Sequence, residues 1–227
     1  MAKATPPESV YGAARQGLRT RIAERFALRA RERRAGLFRR LMDPRPGDRI
    51  VDVGCGEIGL AAHQAGNEIT GVDIVDRPGY AGPNRRFVRA DARELPFADD
   101  EFDIAHSNSL IEHVGDRRDR ERVAGELRRV GRRYFVQTPN RGFPIEPHSL
   151  LPLVHMLPRR IGRRLWRFGV SDDPFDDTWL LGARDLSRLF PDALIVRERV
   201  GPLTKSLIAA GPRELLDARL SRPRRRR

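Results

Sequence analysis

Five short runs rich in β-branched and apolar residues recur between Arg49 and Asn140: "RIVDVGC", "EITGVDI", "RFVRAD", "EFDIAHSN" and "RYFVQTPN". Helical or turn-rich pieces separate them, among them "GLAAHQAG", read as a short helix, and a charged helix over Arg117–Val130. Strands that alternate with helices are joined by crossovers, which lays the strands parallel and places helices on both faces of the sheet. Two further β-rich runs, Ala193–Val200 and Lys205–Ala210, are linked by "GPLT", too short for a crossover helix, so they pair antiparallel. The pattern predicts an α/β fold: a seven-stranded, mostly parallel sheet finished by a C-terminal antiparallel strand.

The chain has 227 residues, enough for one substantial α/β domain and too few for two comfortable ones. Its 39% apolar content excludes a fully disordered protein. Cys55 is the one cysteine, which excludes an internal disulfide and any multi-cysteine metal site and suits a reducing compartment. No run approaches the roughly 18 apolar residues of a spanning helix, and "MAKATPPESVYG" lacks a signal peptide's hydrophobic region, so a cytoplasmic location is expected. Residues 1–14 read as a flexible arm and 15–220 as a single domain. Within it, 15–42 form an N-terminal helix on the apolar stripe Leu18, Ile22, Phe26, Leu37, Phe38 and Leu41, ended by "DPRPG". Arg141–Gly182 fits no βα repeat, being proline-rich, aromatic and polar by turns, and reads as a substrate-side insertion. The tail 221–227 is basic.

The net charge is +13, and arginine supplies nearly all of it, since Lys3 and Lys205 are the only lysines. Codon usage in a GC-rich genome accounts for part of such a bias. The rest implies attraction to polyanions, anionic membrane or acidic substrates.

"VDVGCGEIG", Val51–Gly59, reads literally as G-x-G-x-x-G, the dinucleotide fingerprint. Glycines at a strand-to-helix turn let a ligand approach the backbone, whatever the ligand. Charge separates the candidates. A pyrophosphate wants backbone N–H groups and a helix N-terminus, whereas a sulfonium with an α-ammonium welcomes carboxylates, and Asp52 stands just before the first glycine. Asp73 follows 21 residues later at the end of the second run, placed to accept from both ribose hydroxyls. Asp91 closes the third run, where it could accept from an adenine amino group with Ala92 beside the ring. Each aspartate alone is equally a cap or turn residue; three of them ending successive strands beside a glycine turn point to a site.

In these motifs the chain resembles the class I S-adenosylmethionine-dependent methyltransferases, specifically the methyltransferase type 11-like group acting on small molecules and on quinone or lipid precursors. "RIVDVGCGEIG", "GVDI", "ADARELPFADDEFDIAHSNSLIEHV" and "RRVGRRYFVQTPN" run in family order over Arg49–Asn140, and "KSLIAA" matches the final strand. Where the family carries its third glycine this chain has Ile58, with Gly59 next. The resemblance implies a Rossmann-like sheet and S-adenosylmethionine as cofactor. It places Asp52, Gly54, Cys55 and Gly56 at the methionine end, Asp73 on the ribose, Ile74 against the adenine, Asp91 and Ala92 at the adenine edge, and Ser107 and Asn108 near the carboxylate or sulfonium.

Methyl transfer is an in-line displacement in which the protein supplies alignment and a dry site. A hydroxyl acceptor needs a base, and the candidates are His113 and His148, with Asn140 and Glu146 as substrate contacts. His63, His106 and His155 read as packing or surface residues, and the scattered histidines give no familiar metal-ligand spacing. The expected partner is a small-molecule, sugar or lipid-linked acceptor, with peripheral contact to an anionic inner membrane face suggested by "RRLWRF" and the basic tail. Two rivals remain. A nicotinamide-dependent oxidoreductase would carry a tyrosine–lysine pair, which Tyr11, Tyr80 and Tyr134 do not offer. A nucleic-acid methyltransferase acting on exocyclic amines would carry an Asn/Asp-Pro-Pro-Tyr/Phe motif where this chain reads "SNSL".

Overall fold

The computed structural model describes residues 18–57, 59–62, 64, 66–170, 175 and 178–220. The expected arm 1–14, the first residues of the N-terminal helix, His63 and the tail 221–227 lie outside them. Among the described residues the chain forms two compact units: 35–143 with 178–220, and 18–34 with 144–170 and 175.

The larger unit is built on seven strands: β1 (Arg49–Val53), β2 (Glu68–Asp73), β3 (Arg85–Arg89), β4 (Ile104–Asn108), β5 (Tyr134–Pro139), β6 (Leu194–Val200) and β7 (Leu203–Gly211). Their order is β3-β2-β1-β4-β5-β7-β6, with β7 antiparallel to β5 and β6 and the others parallel, as the sequence pattern predicts. β1 and β5 are buried along nearly their whole length, the mark of strands covered on both faces, while the edge strand β3 is half-open.

Side-chain parity sorts the core into two layers. Val51 and Val53 face one cluster with Val123, Leu127 and Leu186, supplied by the helices α2 (Arg117–Val130) and α4 (Ala183–Leu189). Ile50 faces the other, with Phe38 and Met42 from the end of α1 (Leu18–Met42) and Leu216 from the last helix, Arg213–Leu220. Asp52 shares Ile50's parity and so enters the second layer. "GLAAHQAG", expected as a helix, is described as one 3₁₀ turn, Gly59–Ala62.

The smaller unit holds the insertion. A bridge between Ile145 and Pro152 opens it, followed by a 3₁₀ turn (Val154–Met156) and α3 (Arg159–Trp166). The Trp166 ring packs edge-on against Phe175 at 5.3 Å. Gly162 lets that ring and the Val154 carbonyl approach the helix. No helix among the described residues is long and apolar enough to cross a membrane.

Candidate active site

Strand order reverses between β1 and β4, so the connections leaving their C-terminal ends run to opposite sides and leave a crevice there, the place where open α/β sheets bind ligands. The glycine turn leaves β1 at that edge. Its amides are turned inward: Gly54 N and Cys55 N donate to the Val72 carbonyl at 2.8 and 3.1 Å, and Gly56 N donates to Asp73 Oδ2 at 3.1 Å. Leu60 N, one turn on, donates to Asp52 Oδ2 at 2.6 Å. A pyrophosphate cradle needs such amides pointing at the ligand; here four of them have acceptors within the protein. Above Gly56, which sits at φ +56°, the space is open.

Asp52 lies beneath the glycine turn. Its carboxylate is 1% exposed and does not line the crevice. Oδ1 lies 2.6 Å from His106 Nδ1, and Oδ2 accepts from Leu60 N and, at 3.4 Å, from the Tyr80 hydroxyl. The cause is strand parity, which sends Asp52 into the α1-side layer opposite His106 in the β1–β4 register. Gly59 follows from this. It has φ +51°, and a Cβ there would fall 2.2 Å from Asp52 Oδ2. Asp52 thus ties down the floor of the loop, and its charge reaches the crevice only through space. The Cys55 thiol registers that field: burial first, then the Asp52 and Asp73 carboxylates, push its pKa far up.

Asp73 ends β2 and faces the crevice. Oδ2 accepts from Gly56 N and pairs with Arg77 Nε at 3.2 Å, while Oδ1 accepts from Val75 N at 3.1 Å. Arg77 also reaches Glu57 Oε1 at 3.1 Å. Beside Asp73, Ile74 is 60% exposed, a large apolar side chain presented at a strand end. Asp91 grips Arg93 through both carboxylate oxygens, and that guanidinium holds its carboxyl below the usual range. Ala92 is half-buried against the α2-side layer. At the end of β4, Ser107 is buried and donates to the Val53 carbonyl at 2.9 Å, so it knits β4 to β1 and does not face a ligand; Asn108 is half-buried at the strand's last position.

The Asn140 side-chain amide donates to the Thr204 carbonyl at 2.8 Å and accepts from Gly142 N at 3.2 Å, which clamps the end of β5 to β7. His113 is exposed in a 3₁₀ turn, Ile111–His113, next to buried Glu112, which accepts from the Thr138 hydroxyl at 3.0 Å. In the smaller unit Glu146 is buried and organises its own turn: it accepts from His148 N and Ser149 N and faces His148 Nδ1 at 2.7 Å. Burial raises its pKa, but the His148 ring and those N–H groups outweigh burial and hold it below the ordinary carboxylate range.

Sequence reading missed Tyr80, Arg77 and the role of His106. The His106 ring is buried as expected of a packing residue, stacked on Phe135 at 5.7 Å, yet its nitrogen lies 2.6 Å from Asp52, as close as Leu60 N. Only the register of β1 on β4 could have linked them.

Residues 51–134 match the family described as "Methyltransferase domain". The chain is 37% identical over 105 residues to an uncharacterized methyltransferase of Mycobacterium sp. (strain KMS), covering 43% of this chain and 40% of that one. It is 31% identical over 123 residues to the 27-O-demethylrifamycin SV methyltransferase of Amycolatopsis mediterranei (strain S699), covering 48% and 44%. The matches thus span less than half the length of these curated relatives. Among solved structures, magnesium protoporphyrin IX methyltransferase from Synechocystis PCC 6803 with bound SAH superposes with a TM-score of 0.57 at 15% identity, over 88% of this chain and 90% of that one, a likeness of fold. The strand order, the glycine turn and the sequence match agree: residues 51–134 resemble a methyltransferase domain, set in a sheet of the Rossmann-like methyltransferase type.

Proposed function

We propose that this chain binds S-adenosylmethionine at the crevice beside β1 and transfers its methyl group to a small-molecule acceptor. The observation that carries the reading is the inward turn of the loop amides at Gly54, Cys55 and Gly56, beside the carboxylates of Asp52 and Asp73. That arrangement offers a phosphate little and a cationic ligand a favourable field. The literal dinucleotide fingerprint loses its physical basis with it.

The donor supplies a methyl group already activated by its sulfonium. The protein's part is placement and exclusion of water. Asp73 offers its oxygens to the ribose hydroxyls in place of Arg77, and exposed Ile74 gives the adenine an apolar face. Asp91 and Ala92 close the adenine edge, while Gly56 leaves backbone space for the methionine end. Where the acceptor is a hydroxyl, His148 is the candidate base: Glu146 takes the Nδ1 proton in a hydrogen bond, which fixes the tautomer and leaves Nε2 as the ring's basic atom. The relatives' names, which carry 27-O-demethylrifamycin SV and magnesium protoporphyrin IX, support the small-molecule class. A sugar or lipid-linked acceptor is the finer reading, and the basic, apolar insertion supports it.

Isothermal titration with S-adenosylhomocysteine, run beside NAD and NADP, tests the proposal. Micromolar binding of the first alone is the expected result. Binding of a nicotinamide dinucleotide instead would overturn it.

A further inference from the structure

We infer that α3 and the turn before it form an interfacial surface that seats the protein on an anionic lipid bilayer. The helix has two apolar faces. Gly162 and Trp166 point into the smaller unit, where they meet Phe175 and Val154. Ile161, Leu165 and Phe168, spaced i, i+4, i+7, form a second stripe that is exposed by 49%, 38% and 62%. An amphipathic helix of a water-soluble domain needs only the first stripe. Leu153, Met156 and Leu157, on the turn just before the helix, are exposed as well and extend the apolar surface.

The flank of the stripe decides what could cover it. At 3.6 residues per turn, Arg160 and Arg164 border it directly, and Arg159, Arg163 and Arg167 complete the arc beyond. All five are exposed, and Leu150–Val170 contains no carboxylate. The next acidic residues, Asp172 and Asp173, lie outside the described residues. The Arg167 guanidinium sits 4.8 Å over the Phe168 ring, a pairing in which the aromatic body can sink while the charge stays at headgroup level.

A second copy of this chain is a poor occupant, because a two-fold contact would set the same five arginines against each other. A nucleic acid would meet the arginines but gain nothing from Ile161, Leu165, Leu153 or Met156, which neither stack on bases nor bond phosphates. A bilayer with anionic headgroups satisfies both halves: acyl chains for the stripe and phosphate for the flank. The inference does not depend on the proposed methyl transfer.

The test is flotation of the full chain with phosphatidylcholine vesicles and with phosphatidylglycerol–phosphatidylcholine vesicles (roughly 3:7). Partitioning onto the anionic vesicles at least tenfold above the neutral ones is expected, since each arginine at such a surface adds about fivefold. The double variant Ile161→Ser/Phe168→Ser should lower that partitioning at least tenfold, and Arg160→Glu/Arg164→Glu at least about 25-fold. Both pairs are exposed, so thermal unfolding and S-adenosylhomocysteine titration should match the unaltered chain. Failure of the unaltered chain to float, or equal flotation of the serine variant, would overturn the inference. So would tighter binding to duplex DNA that the serines leave unchanged, or a dimer that Phe168→Ser dissolves.

Discussion

Asp52 and Asp73 share a residue type and a strand-end position, yet the fold gives them different work. Asp73 opens to the crevice, so Asp73→Ala should weaken S-adenosylhomocysteine binding at least tenfold, about 1.4 kcal/mol, in isothermal titration. Asp73→Asn, which keeps an acceptor for Gly56 N, should recover the loop but not the full affinity. Asp52→Ala should act on the fold itself. It leaves His106, Leu60 N and Tyr80 without their shared buried acceptor, so denaturant unfolding of the ligand-free chain should show a loss of about 3 kcal/mol or more. A variant that unfolds like the parent and only binds cofactor more weakly would restore Asp52 to the binding surface. The sequence made Asp73 legible because a carboxylate closing a strand faces the sheet's ligand edge whatever its neighbours. It could not make Asp52's partners legible: His106 arrives from a strand 54 residues away in sequence and Tyr80 from a loop, and pairing them needs register and packing, not pattern.

The elements follow the same division. α2 begins and ends where the sequence indicates, at Arg117 and Val130, because Asp116 caps it by accepting from Arg118 N and Asp119 N. The β6–β7 hairpin was legible from the shortness of its link. "GLAAHQAG" was not, since its first turn is tied to Asp52 through Leu60, a tertiary contact absent from local propensity. α2 also anchors the loop that follows Asp91 and Ala92. Glu126 accepts from Leu95 N at 2.6 Å and from Arg129 Nε at 2.7 Å, and Arg129 in turn donates to the Leu95 and Phe97 carbonyls. Glu126→Ala should cost about 2 kcal/mol by stranding the Leu95 amide. Its hydrogen bond to Arg129 holds the Glu126 pKa below the ordinary carboxylate value, and the Leu95 amide adds to this. The stabilisation is therefore complete above that ordinary value and disappears as pH falls through the depressed one. Melting curves of Glu126→Ala and parent should differ at neutral pH and draw together as pH falls from the ordinary carboxylate value through the depressed one.

For the molecule as a whole, the sheet and the insertion are separable pieces. Arg141 N donates to the Leu181 carbonyl at 2.9 Å, and Asn140 bridges Leu181, so the larger unit brings together the two points where the chain departs and returns. Replacing 144–177 by a short glycine linker should leave a cooperatively unfolding sheet that still binds S-adenosylhomocysteine, while methyl transfer and vesicle attachment are lost. Loss of cofactor binding in that deletion would mean the donor site extends beyond the larger unit. The same closed junction bears on how such a protein diversifies. With its ends joined by the sheet's own backbone bonds, the segment between them can lengthen, shorten or be exchanged for another without disturbing strand register. Chains that share this sheet are then free to change what the exchanged segment presents, and resemblance along the strands is a poor guide to what each of them binds.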